Sequence, residues 1–289
     1  MTEINKVAVL GAGVMGAGIA AHVANAGLPV VLLDIVPEGA EDRNVVASSA
    51  IAQLLKTKPA PLTSKRNAKL ITPGNLDDNM DMLSDCDLII EVVIERLDIK
   101  QGLYKKIDAV RKKGSIVSSN TSTIPLKQLV DGAPAGFEED FVITHFFNPP
   151  RYMRLLEIVS GPKTKPEVTK AIEAFMDMKM GKGVVHCKDT PGFIANRIGT
   201  LWISAATKFA FEGGLTVEEA DAVGGKPLGF PKTGIFGLID LVGLDLGPHV
   251  AASMLASLPE KDMYRDIYEE SELTKKMIAD GYTGRKGKG

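Results

Sequence analysis

The feature that most constrains this chain is Gly11-Ala12-Gly13-Val14-Met15-Gly16, which directly follows the apolar run Val7 to Leu10 and opens the small-residue stretch Val14 to Ala26. A second apolar run, Leu28 to Leu33, comes next and ends on Asp34. Two short buried runs around a proline-free, alanine-rich segment read as strand, helix, strand, a βαβ unit. In that setting each glycine has a task. Gly11 makes the tight turn, Gly13 lets a pyrophosphate approach the backbone, and Gly16 lets the helix lie close to the strand. Val14 and Met15 start the helix whose N–H groups meet the anion. A dinucleotide is the expected ligand.

Asp34 narrows the choice of dinucleotide. It lies eighteen positions beyond Gly16 at the end of the second strand. A carboxylate there accepts hydrogen bonds from ribose hydroxyls and repels a 2′-phosphate. Ile35-Val36-Pro37-Glu38 contains no arginine that would hold such a phosphate, so NAD is favoured over NADP. The bland alternative for Asp34 is a strand-end cap.

Further strands are expected at Leu88 to Val93, Ser115 to Ser118, Phe141 to Thr144, Leu155 to Val159 and Gly183 to Cys187, with helices at Asp98 to Lys112 and Pro166 to Met178. This alternation predicts an α/β fold, a Rossmann-like doubly wound sheet, mainly parallel at its start. Ala40 to Leu55 and Ser64 to Leu70, on either side of a proline-rich turn, predict a projecting helical hairpin. After Asp189-Thr190-Pro191-Gly192 the strand pattern stops, and Ile194 to Phe211, Val217 to Val223 and Asp262 to Ala279 read as helices. Two domains follow: residues 1–188, binding NAD, and residues 189–289, smaller and all-helical. A length of 289 residues suits two cores.

With 45% hydrophobic residues, 24% charged residues and a net charge of -2, the composition is that of an ordinary soluble protein and argues against nucleic acid as the main ligand. Cys86 and Cys187 make no disulfide framework or metal motif and read as thiols in a reducing compartment. The first residues lack an apolar signal stretch, and no apolar run approaches the roughly 18 residues of a membrane span. The expectation is a cytoplasmic protein with no membrane or metal partner.

A site that oxidises an alcohol needs a base for the hydroxyl proton. Of the four histidines, His22 falls in the first helix, His186 in a strand and His249 in the carboxy-terminal part. His145 ends a predicted strand, where open α/β sheets place their ligands. The chain turns at Asn148-Pro149-Pro150 and returns through Leu155 to Val159, whose alternation aims Glu157 to one side. A carboxylate beside an imidazole favours its charged form and fixes its tautomer. Spacing alone leaves this pairing open, and a structural histidine beside a sheet is the common alternative.

Four segments together, Gly11 to Gly18, Ser119-Asn120-Thr121-Ser122, His145-Phe146-Phe147-Asn148-Pro149 and Asp189 to Arg197, resemble the L-3-hydroxyacyl-CoA dehydrogenase family in order and approximate spacing. The resemblance runs from Lys6 to the last residues. It implies His145 as general base, Glu157 as its electrostatic partner, and Ser122 and Asn196 as residues that touch the substrate or orient the reacting groups. It also implies NAD contacts for Glu95, Lys100 and Lys286, an acyl-CoA substrate in fatty-acid oxidation, and a homodimer through the helical domain. Lys56 and Lys58, on the segment that corresponds to the hairpin, are the candidates for CoA phosphates, with solvated helix-end lysines as the alternative.

Two departures bear on these expectations. Gly234-Ile235-Phe236-Gly237-Leu238-Ile239-Asp240 is close to the family pattern without matching it, which touches dimer contacts and acyl preference. The chain also stops at Gly289, before the aromatic segment that usually follows, as expected for the dehydrogenase part of a protein fused to an enoyl-CoA hydratase-like region. An enzyme for free hydroxy acids and a silent NAD-binding scaffold are the rival readings. Four intact site positions speak against the scaffold.

Overall fold

A computed structural model describes residues 3–230, 232–285 and 287–288. The chain divides into two compact units, Met1–Thr190 and Pro191–Gly289.

The first unit runs β1 (Val7–Leu10), α1 (Val14–Asn25), β2 (Val30–Asp34), α2 (Val45–Leu54), β3 (Ile71–Asn75), β4 (Leu88–Glu91), α3 (Leu97–Val110), β5 (Ile116–Ser119), α4 (Leu126–Leu129), β6 (Phe141–Phe146), β7 (Leu155–Ser160), α5 (Pro166–Ala174) and β8 (Gly183–Cys187). All eight strands form one sheet in the order β3-β2-β1-β4-β5-β6-β7-β8. Every neighbouring pair is parallel except β6 and β7, which are antiparallel.

The central strands read as unbroken apolar runs because both faces of a parallel sheet are covered. Val7, Val9, Leu32, Ile90, Ile116 and Val142 face the core that α1 and α5 close with Ile19, Val23 and Ile172. On the other face Tyr104 of α3 packs on Phe137 and Phe141 at centroid distances of 5.4 and 5.3 Å. Each such side chain, fully buried, contributes roughly 1.5–3 kcal/mol. Helix α1 can lie close because Gly18 and Ala21 have little or no side chain. A Cβ on Gly18 would sit 3.0 Å from Pro150 Cδ.

Three local differences from the sequence expectations have clear causes. Strand β3, Ile-Thr-Pro-Gly-Asn, has no apolar alternation to announce it, and it is tolerated because it is an edge strand, where proline costs no central ladder bond. The segment expected as a helical hairpin is α2 followed by a 3₁₀-helix, Lys65–Leu70, leaning on the core through Ala47, Leu54 and Leu62. Its first helix begins only at Val45, since Asp42 Oδ1 accepts the Asn44 N–H at 2.9 Å and holds a turn.

The second unit is helical: α6 (Ala195–Glu212), α7 (Val217–Val223), α8 (Phe236–Val242), α9 (Leu246–Ser257), α10 (Met263–Ile267) and α11 (Glu272–Ala279). Ala251, Met254, Leu258 and Tyr264 form a small core there, with Leu201, Leu255 and Tyr268 against it. The stretch Asp262 to Ala279, expected as one helix, is two. Asp262 Oδ1 caps Tyr264 N at 2.9 Å, and the Ser271 hydroxyl caps Thr274 N at 3.3 Å, so each short polar side chain starts its own helix. Among the described residues no single helix is long and apolar enough to cross a membrane.

Candidate active site

The carboxyl ends of β1, β2, β4, β5 and β6 carry most of the chemistry. The glycine loop leaves β1 with the Gly11 N–H on Leu33 O at 2.7 Å. Gly11 has φ +107°, and a Cβ there would stand 2.5 Å from Val92 O. A Cβ on Gly16 would meet Gly11 O at 1.8 Å, so no other residue fits without moving the turn. Gly13 differs: nothing lies within 4 Å of where its Cβ would be. No side chain caps the start of α1, and Val14 is 77% exposed. An uncapped helix N-terminus beside an open glycine is a cradle for an anion. These residues therefore fit a bound dinucleotide.

Asp34 does more than its position in the sequence suggests. Its Oδ2 accepts the Ala12 N–H and its Oδ1 accepts Ile35 N at 2.6 Å. The carboxylate thus pins the loop from the neighbouring strand, and its remaining lone pairs suit hydroxyl donors.

Behind the loop lies a polar network centred on Glu91. Glu91, fully buried at the end of β4, accepts from Lys100 Nζ at 2.6 Å, Tyr104 OH at 2.7 Å, Ser119 Oγ at 2.7 Å and Val93 N at 2.9 Å. Lys100 then reaches Glu95 at 3.2 Å. Burial pushes the Glu95 carboxyl up, but the Lys100 ammonium and the Thr121 and Thr123 hydroxyls outweigh it and hold it below the usual range. Burial, followed by the charge of Glu91, holds the Tyr104 phenol well above its ordinary value, so it remains a donor. The Ser122 N–H also points to Glu95, at 3.3 Å, and Ser122 is half-buried. Lys100, expected at the cofactor, is 1% exposed and stands between two carboxylates behind Glu95.

Strand β6 extends two residues beyond the expected Thr144, so His145 lies within it and pairs in register with Glu157 of β7. His145 Nδ1 is 2.7 Å from Glu157 Oε2, and both side chains are buried. The Phe147 ring tilts against the imidazole at 4.5 Å. Asn120 Oδ1 accepts Phe146 N at 2.9 Å, and the Thr144 hydroxyl donates to Ser118 Oγ at 2.9 Å. These contacts join the end of β5 to the histidine strand.

The glycine loop with Asp34, the Glu95–Lys100–Ser122 group and the His145–Glu157 pair therefore all occur in the first unit. Asn196 belongs to the second, in the first turn of α6, where its carbonyl accepts the Thr200 hydroxyl at 2.7 Å. Lys56 and Lys58 are exposed just beyond α2. Lys286 lies outside the described residues. Glu91 and Asn120 went unassigned in the sequence. A charge closing the apolar run Leu88-Ile89-Ile90 is the one hint for Glu91.

Residues 6–190 match the family described as 3-hydroxyacyl-CoA dehydrogenase, NAD binding domain, and residues 192–289 that described as 3-hydroxyacyl-CoA dehydrogenase, C-terminal domain. A Rickettsia felis protein named as a fatty acid oxidation complex trifunctional enzyme is 45% identical over 99% of this chain, which spans 40% of that protein. A Deinococcus radiodurans protein named as a 3-hydroxyacyl-CoA dehydrogenase is 43% identical over 98% of this chain and 81% of its own length. Among solved structures, the (S)-3-hydroxybutyryl-CoA dehydrogenase of Ralstonia eutropha is similar with a TM-score of 0.78 and 31% identity, covering 98% of this chain and 96% of that one.

Proposed function

The chain belongs to the 3-hydroxyacyl-CoA dehydrogenase family, and we propose that it oxidises the 3-hydroxyl of an L-3-hydroxyacyl-CoA, reversibly, with His145 as the base. The observation that carries this reading is the buried His145 Nδ1–Glu157 Oε2 contact of 2.7 Å, in the same unit as the dinucleotide loop. With Nδ1–H donated to the carboxylate, Nε2 is the atom that takes the hydroxyl proton. Glu157 fixes that tautomer and offsets the charge of the imidazolium as it forms. Bound NAD supplies the hydride acceptor. Gly11, Gly13, Val14, Met15 and Gly16 would hold its pyrophosphate, Asp34 its ribose hydroxyls, and Glu95 a further polar edge, with Lys100 setting the place of Glu95.

Ser122 and Asn196 are assigned to orient the reacting oxygen and the substrate, Lys56 and Lys58 to meet CoA phosphates. The names of the relatives support a role in fatty-acid oxidation, and the short span of the chain within the Rickettsia protein supports fusion to further enzymatic regions. The proposed assembly is a homodimer through the helical unit, in the cytoplasm.

Consumption of NADH with a short and a long 3-ketoacyl-CoA tests the proposal. Turnover of either thioester, abolished in His145→Gln, is the expected result. Turnover of a free hydroxy acid with neither thioester accepted would overturn it.

A further inference from the structure

We propose that Lys182 is a positioning residue for this reaction: its buried ammonium grips the connection between the His145 strand and the Glu157 strand and so holds the catalytic pair in place. The inference rests on the His145–Glu157 reading above. Lys182 is 2% exposed. Its Nζ donates to the carbonyl of Pro150 and, at 2.8 Å, to that of Met153, and it lies 5.5 Å from the centroid of the Phe146 ring. Phe146 directly follows His145, and residues 147–154 are the link that returns the chain to β7. One ammonium therefore binds two carbonyls of that link and lies over the ring of the residue next to the base.

The arrangement is costly, which argues for a use. Among the described residues Lys182 has two carbonyl acceptors and no carboxylate partner, and a buried ammonium without a countercharge is costly. Burial pushes its pKa down to about 8. A methionine would fill the same space without that cost.

The chain is also shaped to aim Lys182 inward. Helix α5 ends in a π-type turn, Phe175–Lys179, and Gly181 takes φ +63°. Met176 O then accepts Lys182 N at 2.9 Å, and His22 Nε2 holds Met180 O at 2.9 Å. Widened helical turns of this kind are frequent at functional sites.

The link that follows the base adds to the hold of the strand ladder. His145 is the next-to-last residue of β6, and strand ends open most easily. On its outer side the link is tied by Arg151 Nη1 to Leu62 O at 3.2 Å and by Tyr152 OH to Ala60 O at 2.9 Å. On its inner side Pro150 rests on Gly18, and Lys182 supplies the donors. A base misplaced by about 1 Å loses on the order of 10²-fold in rate.

The test compares Lys182→Met, an unbranched arm one atom shorter that removes the donors, with Lys182→Gln, an arm of the same atom count as methionine that keeps two N–H donors. Both are made in the full chain and measured for thermal midpoint, kcat with a 3-ketoacyl-CoA, and KM for NADH. Expected for Lys182→Met is a kcat loss of about 10–100-fold with KM for NADH within about twofold, and for Lys182→Gln a partial return of kcat. If Lys182→Met does not fold, Lys182→Gln is held to the same split between kcat and KM. An unchanged kcat would overturn the proposal. So would parallel losses of kcat, NADH affinity and thermal midpoint, or failure of both variants to fold, because those mark a merely structural role. Normal turnover in His145→Gln would instead defeat the base assignment itself, whatever the Lys182 variants do.

Discussion

His145 and Glu157 face each other directly across the antiparallel β6–β7 ladder, with Nδ1 2.7 Å from Oε2 and neither side chain open to bulk water. On the proposed reading the two act as one unit. General-base catalysis typically contributes about 10²–10⁴-fold, and His145→Gln is expected to lose at least that much turnover. NAD binding should stay nearly intact, because the glycine loop and Asp34 belong to other strands. Glu157→Gln keeps the shape and removes the charge, so it too should slow the reaction. The double variant should be little worse than His145→Gln alone. Strictly additive losses in a kinetic double-mutant cycle would separate Glu157 from the mechanism.

Asp34 is expected to make NAD a far better cofactor than NADP, because its carboxylate repels an added 2′-phosphate. Asp34→Ala should narrow that preference in steady-state assays. It should also lower overall cofactor affinity, since the Ala12 and Ile35 N–H groups lose their acceptor. Equal kcat/KM for the two cofactors in the unmodified chain would remove Asp34 from the role.

The legible parts of this fold are those whose signal is local. Val7–Leu10 and Leu88–Glu91 show as strands because a two-sided core demands unbroken apolar runs. The glycine loop shows because steric demands at Gly11 and Gly16 leave no other residue type. Strand β3 does not show, since an edge strand can carry Pro73 and Gly74. The break between α10 and α11 was hidden in a stretch of good helix formers and depends on the Ser271 cap. In the site, His145 was visible from its place at a strand end. Lys182 was not, because a lysine 29 and 32 positions from the carbonyls it binds reads as a surface charge until the fold encloses it. Glu91 showed only as a charge closing an apolar run, and Lys100 entered through the family resemblance, which did not reveal its burial against Glu91.

The second unit carries Ile198, Phe209, Phe211, Leu228 and Leu241 with more than half of each side chain exposed. That is more apolar surface than a helical unit of this size needs to leave open. Sedimentation at micromolar concentration is expected to give a dimer. Phe209→Asp on α6 should shift it toward monomer while leaving helical content unchanged. A purely monomeric unmodified chain would refute pairing through this unit.

His22 should give the fold an acid-sensitive limb distinct from that of the carboxylates. Burial first, and then the charges of Lys182 and Arg151, lower its pKa from 6.5 to about 4, while its bond to Met180 O acts in the opposite direction. The folded chain thus favours neutral His22, whereas the unfolded chain binds a proton near pH 6.5. Stability from this group is therefore complete above pH 6.5 and lost as pH falls from 6.5 toward 4, in total roughly 2–3 kcal/mol. Carboxylates held low, such as Glu95, release their share only below about pH 4.5, so the upper part of the window isolates the imidazole. His22→Gln keeps an N–H donor for Met180 O and cannot titrate. Urea unfolding at pH 7.5 and pH 5 should show a smaller stability difference for that variant than for the unmodified chain. Equal differences in the two proteins would mean that His22 is as easily protonated in the fold as outside it.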